Sequence, residues 1–141
     1  MAYKRDWAHY GKHTPWGGST GGGQLIKLGV NWTGAAFLWS FSTVANAVAG
    51  SAATGFQLSA AAAGSQGVSV TYDAAYVHPK TGAVVGASII TPQIDEATLE
   101  ALTYTGAADL VLYHDLLVTP SGLPQRAELY GTFTITQGIG D

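Results

Sequence analysis

The chain has 141 residues, of which 47% are hydrophobic and 11% are charged, with a formal net charge of −3 at pH 7 and no cysteine. Its length corresponds to one domain, and the lack of thiols excludes disulfides and thiolate metal sites. The charged fraction lies well below the roughly 25% of an average soluble protein, which favours a subunit whose surface is largely covered by contacts. The alternative is a Ser- and Thr-rich β-sandwich that stays soluble on its own.

Residues 1–23, called the N-terminal arm below, are rich in glycine and aromatic residues and nearly free of aliphatic ones. Such a segment cannot bury enough apolar surface to form a core of its own. Rigid aromatic side chains are the anchors that fill pockets on a partner. We therefore predict an extended arm, ending in a glycine hinge at 21–23, that inserts into a neighbouring subunit through four anchors: Tyr3, Trp7, Tyr10 and Trp16.

The charge is distributed unevenly along the chain. The arm carries three basic residues and one carboxylate, whereas residues 24–141 carry three basic residues and eight carboxylates. This imbalance predicts that the arm lies on an acidic neighbour, such as another copy of the chain. Three basic residues are too few for a nucleic-acid footprint. No run reaches the roughly 18–20 apolar residues that span a bilayer, and none near Met1 is typical of a signal peptide, so we expect a protein made in the cytoplasm without membrane or nucleic-acid partners.

Residues 24–141 are predicted to form one unit of short strands separated by turn signals. The predicted strands cover 24–30, 35–46, 56–58, 67–73, 83–90, 109–119 and 125–136. The run 109–119 is apolar on both faces, which predicts a central strand. One short helix is predicted over 96–102, with Asp95 as its N-cap and a hydrophobic staple between Ile94 and Leu99. About seven short strands with regular turn signals predict an all-β, immunoglobulin-like β-sandwich.

The histidines do not form a convincing catalytic or metal site. His9 and His13 have the spacing of two metal ligands on one helix face, but the glycine and proline around them disfavour a helix. His114 and Asp115 are neighbours in a predicted strand, so their side chains point to opposite faces and cannot pair. The chain also lacks a Gly-x-Ser-x-Gly nucleophile motif. We interpret His114 as a hydrogen-bonded residue at a sheet edge or an interface.

The other candidate site residues are three carboxylates and one tryptophan. Asp95, Glu96 and Glu100 belong to one short helix, whereas a glycosidase needs two carboxylates facing each other across a cleft. We therefore predict no catalytic residue, no metal ligand and no cofactor, and a protein that is not an enzyme. Trp32 lies in a predicted turn flanked by glycines, which makes it the candidate exposed aromatic for stacking on a sugar.

Part of the second half resembles small immunoglobulin-like domains of tailed-bacteriophage virion proteins. The residues that carry the resemblance are Asp95-Glu96-Ala97-Thr98-Leu99-Glu100-Ala101-Leu102, Leu112-Tyr113-His114-Asp115-Leu116-Leu117-Val118-Thr119, Pro120-Ser121-Gly122 and Leu129-Tyr130-Gly131-Thr132-Phe133-Thr134-Ile135. Such domains occur in baseplate and tail-fibre attachment proteins, including the N-terminal domain of baseplate upper proteins. The resemblance implies a short helix, a hairpin containing glycine and a closing strand in a sandwich that serves attachment.

These observations together lead us to expect a non-enzymatic structural subunit of a tailed-phage virion. It would dock through its arm and through uncharged sandwich faces, on other virion proteins and on copies of itself, and the resemblance favours the tail, baseplate or fibre attachment. A capsid decoration (cement) protein that stabilises the head is the alternative. A sugar-binding β-sandwich module, in which Trp32 or another exposed aromatic residue stacks on a glycan, is the third hypothesis.

Overall fold

The computed structural model describes residues 3–11, 14–18, 23–43, 55–104 and 109–136. Within these ranges the chain is mostly β, with one short helix. The elements are β1 (Tyr3–Lys4), β2 (Trp7–Tyr10), β3 (Trp16–Gly17), β4 (Leu25–Leu28), β5 (Ala36–Ser42), β6 (Gly55–Ser59), β7 (Gly67–Asp73), β8 (Ala87–Ile94), α1 (Glu96–Glu100), β9 (Leu110–Thr119) and β10 (Arg126–Thr136).

The strands form two sheets. In the first, β9 lies between β5 and β10, β6 pairs with β5 at one edge, and β1 and β2 pair with β10 at the other. In the second, β8 is central: β7 pairs along one side of it, while β3 and β4 pair with different parts of its other side. The expected central position of the strand 109–119 is therefore confirmed.

This strand order is that of an immunoglobulin-like sandwich. In that fold one sheet contains strands B, E and D and the other contains G, F, C and C′. Here β4, β8 and β7 correspond to the first set, and β10, β9, β5 and β6 to the second. The place of strand A, beside β4, is not filled by a strand within the described residues, because the arm pairs with β10 and β8 instead. The all-β sandwich expected from the sequence is confirmed.

The core lies between the two sheets and is strongly aromatic. On β5 the alternation predicted from the sequence places Phe37, Trp39 and Phe41 inward, each at most 4% exposed. The largest side chains that are fully buried are Trp39, Phe41, Phe133, Leu58, Ile90, Ile94, Leu99, Leu112, Leu116, Ile135, Val68 and Val118. Both sheets contribute to this set, so the buried surface holds the two sheets together.

One strand lies further along the chain than expected. The prediction placed it at 83–90, whereas β8 covers Ala87–Ile94 and so contains Pro92. Proline cannot donate a ladder hydrogen bond and normally argues against a central strand. Pro92 is tolerated because β3 pairs opposite residues 93–94 and β4 opposite residues 87–90, which leaves position 92 between the two pairings.

The helix was predicted over 96–102 and is shorter, ending at Glu100. Asp95 is its N-cap but makes no hydrogen bond to the helix with its side chain. Instead, Oε1 of Gln66 accepts hydrogen bonds from the backbone N–H of Asp95 at 2.8 Å and from the Thr98 hydroxyl at 2.7 Å. Within the part of the chain that the structure describes, no helix is long and apolar enough to cross a membrane.

Candidate assembly site

The arm runs along the edges of both sheets of its own chain. β1 and β2 pair in parallel with β10, and β2 places Trp7 opposite Phe133. β3 then pairs antiparallel with β8, with Trp16 opposite Ile94. The arm therefore passes from the edge of the first sheet to the edge of the second and covers the side of the sandwich between them.

A single glycine permits the close approach of the arm to β10. Gly131 has φ = 154°, and a Cβ at this position would lie well inside van der Waals contact with the Arg5 carbonyl. The backbone N–H of Thr132 donates to Oδ1 of Asp6 at 2.9 Å, so this carboxylate takes the place of a ladder acceptor. That hydrogen bond, with the nearby Lys4 charge, lowers the pKa of Asp6.

Trp7 lies over the aromatic core. Its ring stacks on His114 at 5.0 Å between centroids and is tilted against Trp39 and Trp16, both at 5.5 Å. It is half-buried. Centroid distances of 4.5–7 Å are those at which aromatic pairs attract, so Trp7 joins the arm to the inner face of the first sheet.

Trp16 is more deeply inserted. It is 6% exposed and meets Phe133 edge-on at 4.7 Å with an interplanar angle of 80°. A Cβ at Gly23 would clash with the Trp16 ring. The chain that leaves the arm thus passes directly over this indole, and only glycine fits there.

His114 links the arm to the core by two hydrogen bonds. The indole N–H of Trp39 donates to Nδ1 of His114 at 3.1 Å. Nδ1 must therefore be unprotonated, and Nε2 carries the hydrogen that is donated to the Arg5 carbonyl at 2.7 Å. Burial lowers the pKa of His114, against the opposing effects of the Arg5 hydrogen bond and the Asp6 charge. The prediction of a hydrogen-bonded His114 is confirmed. Of its two predicted positions, the sheet edge was wrong, because β9 is central, and an interface stays a prediction.

The four predicted anchors do not behave alike. Trp7 and Trp16 come together over the core, whereas Tyr3 is 57% exposed. Tyr10 ends β2, opposite Thr136, and its side chain lies outside the described residues. Docking of these anchors on a neighbour stays a prediction. So does the division into an arm of residues 1–23 and a sandwich of residues 24–141, because strand pairing does not show which part folds alone.

The interpretation of Trp32 as an exposed aromatic was wrong. Trp32 is 4% exposed. Its backbone N–H donates to Oγ of Ser88 at 2.8 Å, and that hydroxyl donates to the Val30 carbonyl at 2.8 Å. The Ser88 hydroxyl fixes the turn so that the indole points into the protein. Two cations cover it, with Lys27 Nζ 5.7 Å and the Arg126 guanidinium carbon 5.2 Å from the ring centroid.

A groove beside this tryptophan was not predicted from the sequence. It has a volume of about 480 Å³ and lies between β1 and β4, where strand A of an immunoglobulin-like sheet would run. A β-bulge between Ala127 and Leu129 turns Glu128, which is 5% exposed, towards an ion pair with Lys27 across the groove. The one sequence signal for this ion pair was a single lysine in an otherwise apolar strand. Its partner could not be identified from local pattern, because Glu128 is 101 residues away in the sequence.

One member of the histidine pair considered as a metal site, His13, lies outside the described residues. Nε2 of the other member, His9, is 2.6 Å from the Thr14 carbonyl oxygen. Among the residues that the structure does describe, no three His, Asp or Glu side chains are grouped to hold a metal ion.

Comparison with protein-family models, with curated proteins and with solved structures finds no match to this chain. The assignment of the fold therefore rests on strand order and burial. The resemblance to domains of tailed-phage virion proteins stays a prediction, and any function has to be argued from the arm, the core beneath it and the groove.

Proposed function

We propose that the chain is a non-enzymatic structural subunit of a tailed-phage virion that assembles by exchanging its N-terminal arm with a neighbouring copy. The observation that carries this proposal is the seating of Trp7 and Trp16 over the core at the edges of both sheets. A tail, baseplate or fibre-attachment role is favoured by the sequence resemblance, with capsid decoration as the alternative location.

The surface under the arm fits the arm whichever copy supplies it. The contacts to β10 and β8 and the stacking on His114 require only an extended segment in the correct register. Exchange of a terminal segment between identical subunits therefore preserves every contact and adds a covalent tether from one subunit to the next. Five of the seven residues at 17–23 are glycine, the residue type that best tolerates the unusual backbone angles of a sharp change of direction.

A cross-linking experiment tests the exchange. Because the chain has no native cysteine, any disulfide must form between the introduced residues. Ala8 and Thr134 are directly paired neighbours in β2 and β10, so the pair Ala8→Cys and Thr134→Cys can form a disulfide. The control pair is Val111→Cys with Thr134→Cys, which joins β9 to β10 within one chain. In assembled particles we expect covalent multimers from the first pair and monomers from the control. Monomers from both pairs would overturn the exchange.

The location is tested separately by immunogold labelling of particles with antibody against residues 24–141. Gold at the tail tip supports the attachment role, and gold distributed over the head supports capsid decoration in its place. Particles without label would overturn the virion assignment. The sugar-binding hypothesis cannot use Trp32, because this residue is buried beneath Lys27 and Arg126.

A further inference from the structure

The chain is electrically polarised. Four of its six basic residues, Lys4, Arg5, Lys27 and Arg126, lie in or beside the groove described above. Residues 81–125 contain no lysine or arginine but five carboxylates, of which Asp95, Glu96 and Glu100 are in α1 or at its N-cap. Positive and negative charge are thus collected at two separate places on a chain of low charge.

The two places are at opposite ends of the sandwich. β8 lines the groove at Ile90 and runs away from it for five residues to reach Asp95, about 17 Å at the rise of a strand. β9 begins at the α1 end, with Leu110 opposite Ile135, and runs back to Leu116, opposite Leu129 in the groove. The groove and α1 of one molecule therefore cannot meet.

The groove keeps an excess of positive charge after its internal ion pairs are formed. Glu128 pairs with Lys27 and lies 3.5 Å from Arg126, and Asp6 lies 3.7 Å from Lys4. Arg5 has no carboxylate within ion-pair distance among the described residues. Two acids thus face four bases around an apolar floor that includes Leu25, Ile90 and Leu129.

We propose that this groove binds the α1 end of a second copy of the chain, so that copies associate head to tail. The solvent-facing side of α1 and its C-cap carries the exposed carboxylate of Glu96 beside the small exposed side chains of Ala97 and Ala101. A carboxylate beside small apolar groups complements an apolar floor with a basic rim. A contact between two grooves would instead bring like charges together. The head-to-tail contact between a groove and α1 is heterologous, and repeated contacts of that type generate rings or filaments.

This inference rests on the assembly role proposed above and names a second contact for it, distinct from the arm. The two contacts respond differently to salt. An exchanged arm is held by strand pairing and buried aromatic rings, whereas the groove contact depends on exposed charges that are screened as the Debye length falls from about 10 Å at 0.1 M to about 3 Å at 1 M salt.

The test is sedimentation velocity of the full chain at increasing concentration in low and high salt. We expect association at low salt that is weakened by about tenfold or more at 1 M salt and, at low salt, by about tenfold in Arg5→Glu. The matched control is Lys80→Glu, which makes the same charge change at an exposed turn residue away from the groove and should associate as the parent does. Purely monomeric protein at all salt concentrations would overturn the proposal.

Charge exchange identifies the partner surface. Glu96→Arg should also weaken association, and the double variant Arg5→Glu with Glu96→Arg should restore it, because the reversed charges again face each other in every contact. Failure of the double variant to regain association would overturn the assignment of α1 as the bound surface. Arm exchange would be judged independently by the Ala8 and Thr134 cross-link, so either contact can fail without the other.

Discussion

Replacement of Trp16 by alanine tests whether the arm is an energetic part of the fold. The indole is 94% buried, since 6% of its surface is exposed, and it contacts Phe133 edge-on at 4.7 Å. Truncating a buried tryptophan to alanine costs about 3–5 kcal/mol through lost burial and the cavity left behind. Because the free energy of unfolding of a small domain is about 5–15 kcal/mol, Trp16→Ala should remove a large part of it.

The assay is equilibrium unfolding in urea followed by far-UV circular dichroism. With a slope of about 1–3 kcal/mol/M, a loss of about 4 kcal/mol lowers the unfolding midpoint by more than 1 M. Tyr3→Ala is the matched control, because this aromatic belongs to the same arm but is 57% exposed, and it should cost less than about 1 kcal/mol. A loss below about 1 kcal/mol for Trp16→Ala would refute the reasoning and show that the contacts of Trp16 contribute little to the stability of the fold.

Three further predictions follow from the contacts of the arm and the turn. In Gly131→Ala the added Cβ would clash with the Arg5 carbonyl, so the arm should be displaced from β10 while β9 and β10 stay paired. Amide hydrogen exchange should therefore accelerate in β2 but not in β9. Burial holds the pKa of folded His114 below the 6.5 of the unfolded chain, so below about pH 6.5 the unfolded chain binds more protons than the folded one. The free energy of unfolding should therefore fall as the pH drops below about 6.5, by at most about 1.4 kcal/mol per pH unit. Ser88→Ala should lower the free energy of unfolding by about 1–3 kcal/mol, because it leaves the Trp32 N–H and the Val30 carbonyl without their partner, and urea unfolding measures this.

Each of these has a variant that separates the proposed cause from a general loss of stability. Gly82→Ala also places a side chain at positive φ but in open space, so it should leave exchange in β2 unchanged. In His114→Gln the pH dependence between about 6.5 and the folded pKa should disappear, whereas the contribution of Asp6, whose pKa is lowered from 3.8, remains at lower pH. Ser65→Ala changes an exposed serine and should be neutral. If a control variant shows the same effect as the variant it is paired with, the specific contact is not the cause of that effect.

The sequence predicted those parts of the fold that depend on local periodicity. Period-two alternation identified the aromatic face of β5, and the apolar run of β9 identified a central strand, because such patterns reflect which face of a strand is buried. Pro92 hid the true extent of β8, since its tolerance depends on where two other strands stop. The local sequence pattern of β8 carries no information on the gap between the β3 and β4 pairings.

The candidate site was less predictable because it depends on contacts between distant residues. Composition showed that the arm needs a surface to cover its aromatic residues, but not that this surface includes His114 and Trp39 of the same chain. The ion pair of Lys27 with Glu128 depends on a β-bulge, which alternation does not reveal. The burial of Trp32 depends on one serine hydroxyl 56 residues away.

The parallel pairing of β2 with β10 joins residues 7–10 to residues 133–136, and this long separation determines the order of events during synthesis. Trp7 cannot reach its place opposite Phe133 until the ribosome has made the intervening chain, which takes roughly 6–25 s at 5–20 residues per second. During that interval the aromatic side chains of the arm have no surface on their own molecule to cover them. If copies exchange their arms as proposed, this interval is when pairing between chains competes best with pairing within one chain, and it requires a neighbour whose own arm is not yet seated.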